Sequence, residues 1–346
     1  MNEYARLNSL ATATPQHKLI QTEVAKAAAD LFSREFSDFD RLLPVYTNAQ
    51  IDTRSSCVPL DWYLKPHTFS ERNDLYIDSA LDLIEEAALA CLERADLETG
   101  DIGGLVVVSS TGVATPSLDA LLMERMQLRR DVRRLPVFGL GCVGGVLGLA
   151  RAAAMAQAEP GMRVLFLVVE LCGLTFQKSD LSKSNVIATA LFGDGAAGAI
   201  VSCLGSGPAI TGWGEYTWPD SLDVMGWNVS DDGLNVLFSR DIPTLVRNEM
   251  KSAVGQFLDA QNMCAGDIDA YVTHPGGAKV LDALEEVFDL GPGTLVHARE
   301  VLRRYGNMSA ATVLFVLEKA LGDQSGKFLM SSLGPGFTAG FLTLET

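Results

Sequence analysis

Histidine is scarce in this chain, and its cysteines lack the spacing that metal sites need. The 346 residues include four histidines and six cysteines, with no H-E-x-x-H segment and no C-x-x-C pair. Zinc sites use such spaced ligands, and disulfide-stapled domains are shorter and richer in cysteine. We therefore expect no protein-bound catalytic metal and no disulfide framework, with most cysteines acting as small buried apolar residues.

Basic residues are few relative to acidic ones. Lys and Arg together number 27 against 43 Asp and Glu, which gives a formal net charge of −16 at pH 7. A nucleic-acid partner needs surplus cations on the contacting face, so this balance argues against nucleic acid. It also disfavours docking to another strongly acidic protein unless a local basic patch exists.

Long apolar runs are missing as well. The run VLFLVV at 164–169 falls far short of the roughly 20 residues that a membrane span needs. The first ten residues, MNEYARLNSL, have no basic start followed by an apolar core. We therefore predict no integral membrane segment and a cytoplasmic protein. With 48% hydrophobic residues, the chain can bury a substantial core in one large domain or two similar halves.

Two similar cycles of helical and strand patterns run along the chain. A helical pattern from Asn73 to Ala95 precedes the strand-like GLVVVSS at 104–110, and a helical pattern at 243–260 precedes the strand AYVTHP. Alternation of this kind predicts an α/β fold with a largely parallel sheet covered on both faces. We expect an N-terminal half at 1–206 and a C-terminal half at 207–346.

The segment GLGCVGG at 139–145 is open to three interpretations. Its glycines satisfy G-x-G-x-x-G, and Glu170 ends the next apolar run where a ribose-binding acid could sit, which fits a dinucleotide loop. Alternatively, the glycines only allow tight packing and Cys142 is an inert core residue. In the third interpretation, Cys142 starts a helix whose N-terminal N–H groups favour the thiolate and can stabilise an oxyanion.

A thiolate nucleophile usually has a histidine partner, and one histidine stands out. His274 ends the apolar strand AYVT and enters the turn PGG, at the end of a strand where open α/β sheets place their sites. The other histidines lie in polar stretches and are expected at the surface. Asn307 precedes an apolar helix in YGNMSAATVLFVLE, where a helix cap is the alternative to a role in the site.

These segments together carry a family resemblance. GLGCVGG, THPGG and YGNMSAATVLFVLE resemble the active-site motifs of type III polyketide synthases, the chalcone-synthase-like branch of the thiolase superfamily. SSTGVATP at 109–116, LFGDGAAGAIV at 191–201 and the final SSLGPGFTAGF continue the resemblance over nearly the whole chain, in the family's order. It implies a thiolase-like, five-layered αβαβα fold of two duplicated halves. It also implies a homodimer, with the segment around Thr115 reaching toward the partner's cavity.

The resemblance also assigns the site. It places a catalytic triad on Cys142, His274 and Asn307, and a gatekeeper phenylalanine on Phe192. In this interpretation Cys142, as a thiolate paired with protonated His274, takes an acyl group from a CoA thioester. His274 and Asn307 then stabilise the enolate formed when malonyl-CoA loses carbon dioxide. Acyl-CoA and malonyl-CoA are substrates, and no resident cofactor is implied.

Other positions bear on substrate choice. Val236 aligns with a second gatekeeper and Trp227 with a small glycine of plant enzymes, in a pattern similar to bacterial members that use fatty acyl-CoA starters and release alkylpyrones or alkylresorcinols. Further residues match cavity positions or positions near the cysteine that tune cyclisation: Cys172, Thr175, Ser110 and Ser309. Residues predicted to contact CoA are Arg41, Lys279, Gly276 and Gly277.

Two rival functions remain at this point. A β-ketoacyl-acyl-carrier-protein synthase III uses the same three residue types for a single condensation, although its family normally has an H-Q-A-N type segment where this chain has H-P-G-G. A thiolase-fold protein without activity, acting as an acyl-binding scaffold, is the other rival. The intact set of Cys142, His274 and Asn307 argues against that scaffold.

Overall fold

The computed structural model describes residues 4–33, 39–239 and 241–346 of the chain. The strands of this part are β1 (Arg6–Ala13), β2 (His17–Ile20), β3 (Thr53–Ser56), β4 (Ile102–Val108), β5 (Arg133–Val137), β6 (Arg163–Leu171), β7 (Asp194–Ser202), β8 (Ala209–Thr217), β9 (Met225–Ser230), β10 (Gly233–Phe238), β11 (Ala270–Thr273), β12 (Lys327–Gly334) and β13 (Thr338–Glu345). The helices are α1 (Gln21–Phe32), α2 (Pro44–Asn48), α3 (Leu60–Tyr63), α4 (Phe69–Ala95), α5 (Leu118–Arg125), α6 (Gly144–Ala158), α7 (Lys183–Leu191), α8 (Ile242–Leu245), α9 (Lys251–Asp259), α10 (Ala278–Val287), α11 (Val296–Tyr305) and α12 (Thr312–Asp323).

Nine of the thirteen described strands form one large sheet. Its nine strands run in the order β11-β12-β13-β8-β1-β7-β6-β4-β5. Only β4–β5, β4–β6 and β11–β12 pair in parallel among these strands, and the remaining pairs are antiparallel. The prediction of a largely parallel sheet is therefore wrong. The pattern of apolar residues in a strand does not show whether it runs parallel or antiparallel to its neighbours. The turn between β12 and β13 is so short that these strands must form an antiparallel hairpin.

The helices form three layers, one outside each half of the sheet and one between the two halves. On the outside, α4 packs on β1, β6 and β7, and α9 packs on β8 and β13 at the other end of the molecule. Between the two halves of the sheet lie α6, which contacts β4 and β6 as well as β12 and β13, and α12. The order is thus helix, sheet, helix, sheet, helix, and the predicted five-layered arrangement is confirmed.

The central helix α6 can occupy its place because glycine is frequent at its start. A Cβ on Gly145 would lie 2.2 Å from the carbonyl oxygen of Ala310, and one on Gly148 would lie 2.6 Å from the Phe166 ring. Among the described residues, only the stretch Gly141–Ala158 is long and apolar enough to cross a membrane, and 67% of it is buried inside the molecule. Such burial is what a central core helix shows.

Two central strands, β1 and β8, were not predicted from the sequence. β8 lies directly after the expected boundary between residues 206 and 207, and β1 lies in the N-terminal region. β1 pairs with β7 along its length and meets β8 at Arg6 and Ala209, so it joins the two halves of the sheet. The helix expected at 243–260 is present, but a π-helical turn at Val246–Met250 interrupts it.

Candidate active site

Cys142 lies on a tight turn between β5 and α6. Gly139 and Gly141 have positive φ angles of 91° and 50°, and a short 3-10 turn at Gly141–Val143 leads into the helix. A Cβ on Gly141 would lie 2.7 Å from Pro335, so this position needs glycine for space as well as for conformation. The hydroxyl of Ser332 donates to the carbonyl oxygen of Cys142 at 2.7 Å. The turn therefore holds Cys142 at the buried start of the central helix.

Strand β12 places His274 next to this turn. His274 follows β11, and its backbone N–H donates to the carbonyl oxygen of Ser331 at 2.9 Å. The next residue, Ser332, is the one that bonds to Cys142. The imidazole is buried, and neither of its nitrogens has a hydrogen-bond partner among the described residues.

Asn307 completes the group from the turn before α12. Its backbone N–H donates to Leu191 at 2.8 Å, and its side-chain Nδ2 donates to the carbonyl oxygen of Gly276 at 3.2 Å. Its Oδ1 accepts from the N–H of Ser309 at 2.8 Å. The cap residue of the 3-10 turn at Ser309–Ala311 is Met308 and that of α12 is Ala311, so Asn307 is not a helix cap.

A buried acid, Glu170, lies beside Cys142, and the sequence analysis did not predict it as part of this site. The carboxylate of Glu170 accepts from the hydroxyls of Ser110, Thr111 and Ser309 at 2.8, 2.9 and 3.3 Å, and from the Ser110 N–H at 3.0 Å. Glu170 is fully buried, and burial raises its pKa. The sequence feature that could have indicated this site is an acid at the end of an otherwise apolar strand. The ribose-binding role considered for Glu170 is wrong, because its oxygens accept hydrogen bonds from groups inside the protein.

Burial dominates the electrostatics of the predicted nucleophile and its partner. It raises the pKa of the Cys142 thiol to about 12, a shift that the negative Glu170 increases and that hydrogen bonds with Ser309 and Asn307 oppose. It lowers the pKa of His274 to about 3. The site without substrate therefore favours a thiol and a neutral imidazole. The thiolate–imidazolium pair expected from the sequence stays a prediction.

Phe192 stands where two chain segments meet. It follows α7, pairs through its backbone with Asn307, and presents its ring to that of Phe238 at a centroid distance of 5.5 Å and an angle of 62°. Phe238 lies on β10 two residues after Val236, the position that the alignment had matched to a second gatekeeper. The sequence analysis did not predict the contact between the Phe192 and Phe238 rings, because the two residues lie far apart in the chain.

A mainly apolar cavity extends from this region between α1, α3 and α7. It encloses about 690 Å³, including its open mouth. Four residues predicted from the sequence belong to its wall: Phe192, Cys172, Thr175 and Val236. Its other apolar lining residues include Leu19, Val24, Ala28, Leu31, Phe32 and Phe176. Burial raises the pKa of the Cys172 thiol, and the charges of Glu170, Asp194 and Cys142 add to the shift.

The comparisons with known proteins agree with this geometry. Residues 62–208 match the N-terminal domain family of chalcone and stilbene synthases, and residues 215–344 match the C-terminal domain family. The chain belongs to this family. Type III polyketide synthases are acyltransferases that catalyse Claisen condensations, and the present chain is one of them. The dinucleotide interpretation of GLGCVGG is therefore wrong.

Several relatives resemble the type III polyketide synthase over most of its length. A Bacillus subtilis protein with a provisional chalcone synthase name is 39% identical over 96% of both chains. The 1,3,6,8-tetrahydroxynaphthalene synthase of Streptomyces peucetius is 37% identical over 96% of this chain and 91% of its own. Pks18 of Mycobacterium tuberculosis, named for alpha-pyrone synthesis, is 27% identical over 96% and 89%.

A solved structure gives the same result for the fold. The crystal structure of 1,3,6,8-tetrahydroxynaphthalene synthase from Streptomyces coelicolor superposes with a TM-score of 0.94 at 27% identity, covering 99% of both chains. The thiolase-like fold expected from the resemblance is confirmed.

Two further predicted residues of the type III polyketide synthase lie outside the cavity wall. The indole Nε1 of Trp227 donates to the carbonyl oxygen of Ser110 at 2.7 Å, so Trp227 covers the side of the site that Ser110 and Glu170 form. Thr115 is exposed on the loop after β4. Its role at a partner subunit stays a prediction.

The residues predicted to contact CoA divide between two places. Gly276 and Gly277 lie in the turn between His274 and α10, where Asn307 bonds to Gly276, and Lys279 is exposed in the first turn of α10. Arg41 is exposed on a 3-10 turn after α1. Among the residues that the structure describes, no cluster of His, Cys, Asp and Glu could hold a metal ion.

Proposed function

We propose that this type III polyketide synthase loads a fatty acyl group from CoA onto Cys142, extends it with malonyl units, and releases an alkylpyrone or alkylresorcinol. The observation that carries this proposal is the apolar cavity behind Cys172. An acyl chain gains free energy when it leaves water for such a surface, at roughly 0.8 kcal/mol per buried CH₂. The cavity therefore supports a long apolar starter.

The outer end of the cavity supports the same choice. Four residues that line it, Ala27, Leu31, Leu60 and Leu64, also line a surface groove between α1 and α3. Charged residues border this groove: Glu23, Lys26 and Asp30. A starter longer than the cavity could extend through this opening toward solvent, so we expect the enzyme to tolerate a range of long chains. At the inner end, Trp227 covers the Ser110 side, which directs an acyl chain from Cys142 toward Cys172.

The transfer of the acyl group to Cys142 can start from a neutral Cys142 thiol and a neutral His274 imidazole. The Cys142 sulfur attacks the carbonyl carbon of the acyl-CoA while its proton passes to the unpartnered imidazole of His274. The tetrahedral intermediate collapses, the C–S bond to CoA breaks, and the proton on His274 goes to the leaving CoA sulfur. This sequence conserves the proton and leaves His274 neutral for the next step.

Extension uses the same two polar side chains as hydrogen-bond donors. Asn307 has one amide N–H on Gly276 and a second available for the thioester oxygen of malonyl-CoA, and neutral His274 can also donate. As carbon dioxide leaves, its bonding electrons form an enolate that these donors stabilise. The enolate carbon then attacks the acyl carbon on Cys142 and displaces the cysteine sulfur. The lengthened chain, still on CoA, returns to Cys142 for another round.

Release is assigned to the hydroxyl cluster around Glu170. Ser110 and Ser309 were predicted to tune cyclisation, and both donate to this carboxylate next to Cys142. We infer that the cluster orients the final intermediate or a water molecule, which would bias ring closure through oxygen or through carbon.

The proposal also includes the oligomeric state, the location and the CoA contacts of the protein. We propose a homodimer that forms along β5, because this strand is at the sheet edge and the adjacent Phe138 is 60% exposed. Thr115 lies on a loop next to this edge. We also propose a cytoplasmic location, where acyl-CoA and malonyl-CoA are available, and CoA contacts at Arg41, Lys279, Gly276 and Gly277.

A second candidate function comes from the 1,3,6,8-tetrahydroxynaphthalene synthases among the relatives. The similarity to 1,3,6,8-tetrahydroxynaphthalene synthase favours assembly of a short aromatic product, which would leave the apolar cavity unused. The two candidates predict different starter dependence.

The test is an incubation of the purified enzyme with malonyl-CoA and saturated acyl-CoA starters from two to eighteen carbons, with products identified by mass spectrometry. Multiply extended pyrones or resorcinols from long starters are expected, and Cys142→Ala should make none. A naphthalene product from malonyl-CoA alone, unaffected by long starters, would establish the second candidate. A single condensation that requires a malonyl carrier protein would instead establish the ketoacyl synthase reaction.

A further inference from the structure

Arg54 lies at the junction between the Phe192 turn and the Asn307 turn. It belongs to β3, and its side chain is 3% exposed. One guanidinium nitrogen, Nη1, donates to the carbonyl oxygens of Thr189 and Phe192, and the other, Nη2, donates to Ala190 and to the side chain of Gln21. A single cation therefore holds the end of α7 and the residue that follows it.

These contacts complete the hydrogen bonding of the α7 C-terminus. A helix leaves its last carbonyl groups without intrahelical partners. Each carbonyl from 188 to 192 has a donor, and the donors are the Phe192 N–H for Ala188, Arg54 for Thr189, Ala190 and Phe192, and the Asn307 N–H for Leu191. Asn307 and Arg54 thus share the task of fixing this helix end, and its position depends on both.

The same strand is also attached to the segment before Asn307. The backbone N–H of Asp52 donates to the carbonyl oxygen of Arg303 at 2.7 Å, and the hydroxyl of Thr53 donates to that of Arg304 at 2.8 Å. These two arginines lie in the last turn of α11, and Asn307 follows shortly after. Residues 52–54 therefore touch the Phe192 side through a guanidinium and the Asn307 side through backbone and hydroxyl groups.

Close packing leaves little freedom at this junction. A Cβ on Gly193 would lie 3.3 Å from the Cβ of Arg54, and one on Gly306 would lie 3.4 Å from it. Both glycines are direct neighbours of the site residues Phe192 and Asn307. The forked guanidinium fits three backbone carbonyls at once, which a lysine ammonium on a flexible stem cannot match in geometry.

We propose that Arg54 is a positioning residue that sets the distance between the Phe192 ring and the Asn307 amide. This inference rests on the proposed function of the site. Arg54 is among the residues that line the apolar cavity, but the proposal assigns it no contact with the reacting atoms. It acts through Asn307, which stabilises the malonyl enolate, and through Phe192, which keeps water away from the bound intermediate.

The first test measures position without activity. Arg54→Lys should increase amide hydrogen exchange in peptides that cover 189–193 and 305–309, because the N–H groups of Gly193 and Asn307 bond across this junction. The matched control is Arg72→Lys. Arg72 is 7% exposed and its guanidinium also donates to three backbone carbonyls, those of His67, Phe176 and Asp232. This control should leave exchange at the junction unchanged.

The second test measures catalysis. Arg54→Lys should lower kcat for malonyl-CoA extension by about 10- to 100-fold, the range expected when a catalytic group moves by about 1 Å. Acyl loading onto Cys142 should stay within about twofold, and hydrolysed early intermediates should increase. Arg72→Lys should give neither kinetic change even if its thermal midpoint falls as far. Thr53→Val, which removes only the bond to Arg304, should give a smaller shift in the same direction.

These outcomes separate the two claims. Unchanged exchange at the junction in Arg54→Lys, or equal loss of loading and extension, would overturn the positioning role. If Arg54→Lys does not fold, Thr53→Val decides by the same two measurements. A wild-type enzyme without polyketide activity would refute the proposed function, while the exchange experiment would still report on Arg54.

Discussion

At the residue scale, the site combines neutral groups with well-placed donors. Burial disfavours both the Cys142 thiolate and the protonated His274. In the proposed mechanism, a proton therefore moves from the Cys142 sulfur to the His274 imidazole during attack, which needs no stored charge pair. Asn307 is held by Gly276 and Ser309, so its amide is preoriented for a developing negative charge.

Replacing Asn307 by alanine should separate the two chemical steps. In the proposed mechanism, loading depends on Cys142 and His274, whereas decarboxylation also needs the amide donor of Asn307. We expect Asn307→Ala to lower carbon dioxide release from malonyl-CoA by about 10²- to 10³-fold, the effect of losing one oxyanion donor. Acyl transfer to Cys142, followed by intact-protein mass spectrometry, should change much less. An equal loss in both assays would contradict this division of roles.

The buried state of His274 has a consequence for stability. Its pKa is about 3 in the folded protein and near 6.5 when unfolded, so the unfolded chain binds a proton that the folded chain does not between these pH values. Stability should therefore fall as pH falls below 6.5. From pH 6.5 to 5, the wild type should lose about 1.5 kcal/mol of unfolding free energy relative to His274→Gln. Chemical denaturation of both proteins tests this, and a pH-independent difference would show that folding leaves the pKa of His274 near its unfolded value.

At the element scale, α1 and α7 form much of the wall of the apolar cavity in which we propose that the starter binds. Ala28 on α1 is buried and faces the cavity. Small side chains on this helix leave the space that larger ones would fill. The cavity is thus a property of how two helices pack, and single substitutions on α1 should change substrate range without touching the reacting atoms.

Ala28→Leu should shorten the preferred starter. The added side-chain atoms occupy cavity space, and overpacking costs typically 1–3 kcal/mol, so kcat/KM for the longest accepted acyl-CoA should fall about tenfold or more. Acetyl- and butyryl-CoA should be less affected. Thr22→Leu, on the exposed face of the same helix, is the control and should retain the wild-type profile. If Ala28→Leu kept the profile as well, the acyl chain would lie elsewhere.

The elements also explain which parts could be predicted. Helix α4 and the strands β4 and β6 were expected because their periodic patterns are local, and the triad positions followed from motif resemblance. β1 and β8 were missed because pairing partners distant in sequence define them. Phe238, Glu170 and Arg54 were missed as site residues for the same reason, since each acts through contacts with residues far along the chain.

At the scale of the whole molecule, the nine-stranded sheet ends in two edge strands, β11 and β5. The outer side of β5 has no partner strand within the described residues. Phe138 and Val113 are 60% and 48% exposed near this edge. Edge strands with exposed apolar neighbours tend to pair with another chain. A second copy of this chain, related by twofold symmetry, would extend the sheet across both subunits.

Phe138→Asp should therefore weaken the dimer. Charge repulsion across a twofold axis and loss of apolar contact should shift sedimentation from dimer to monomer at micromolar concentration. Val296→Asp replaces a residue that is 55% exposed at the start of α11, a helix that contacts β11 at the opposite edge of the sheet, and should not change the assembly. A monomeric wild type, or a Phe138→Asp variant that stays dimeric, would contradict an interface at β5.

The central claim is that Cys142 carries the growing acyl chain, and intact-protein mass spectrometry tests it most directly. The enzyme is mixed with palmitoyl-CoA, digested to locate the adduct, and chased with malonyl-CoA. We expect one palmitoyl group on the Cys142 peptide, its absence in Cys142→Ala, and its disappearance on the chase as extended product forms. An adduct on another residue, or one that malonyl-CoA leaves in place, would contradict the account.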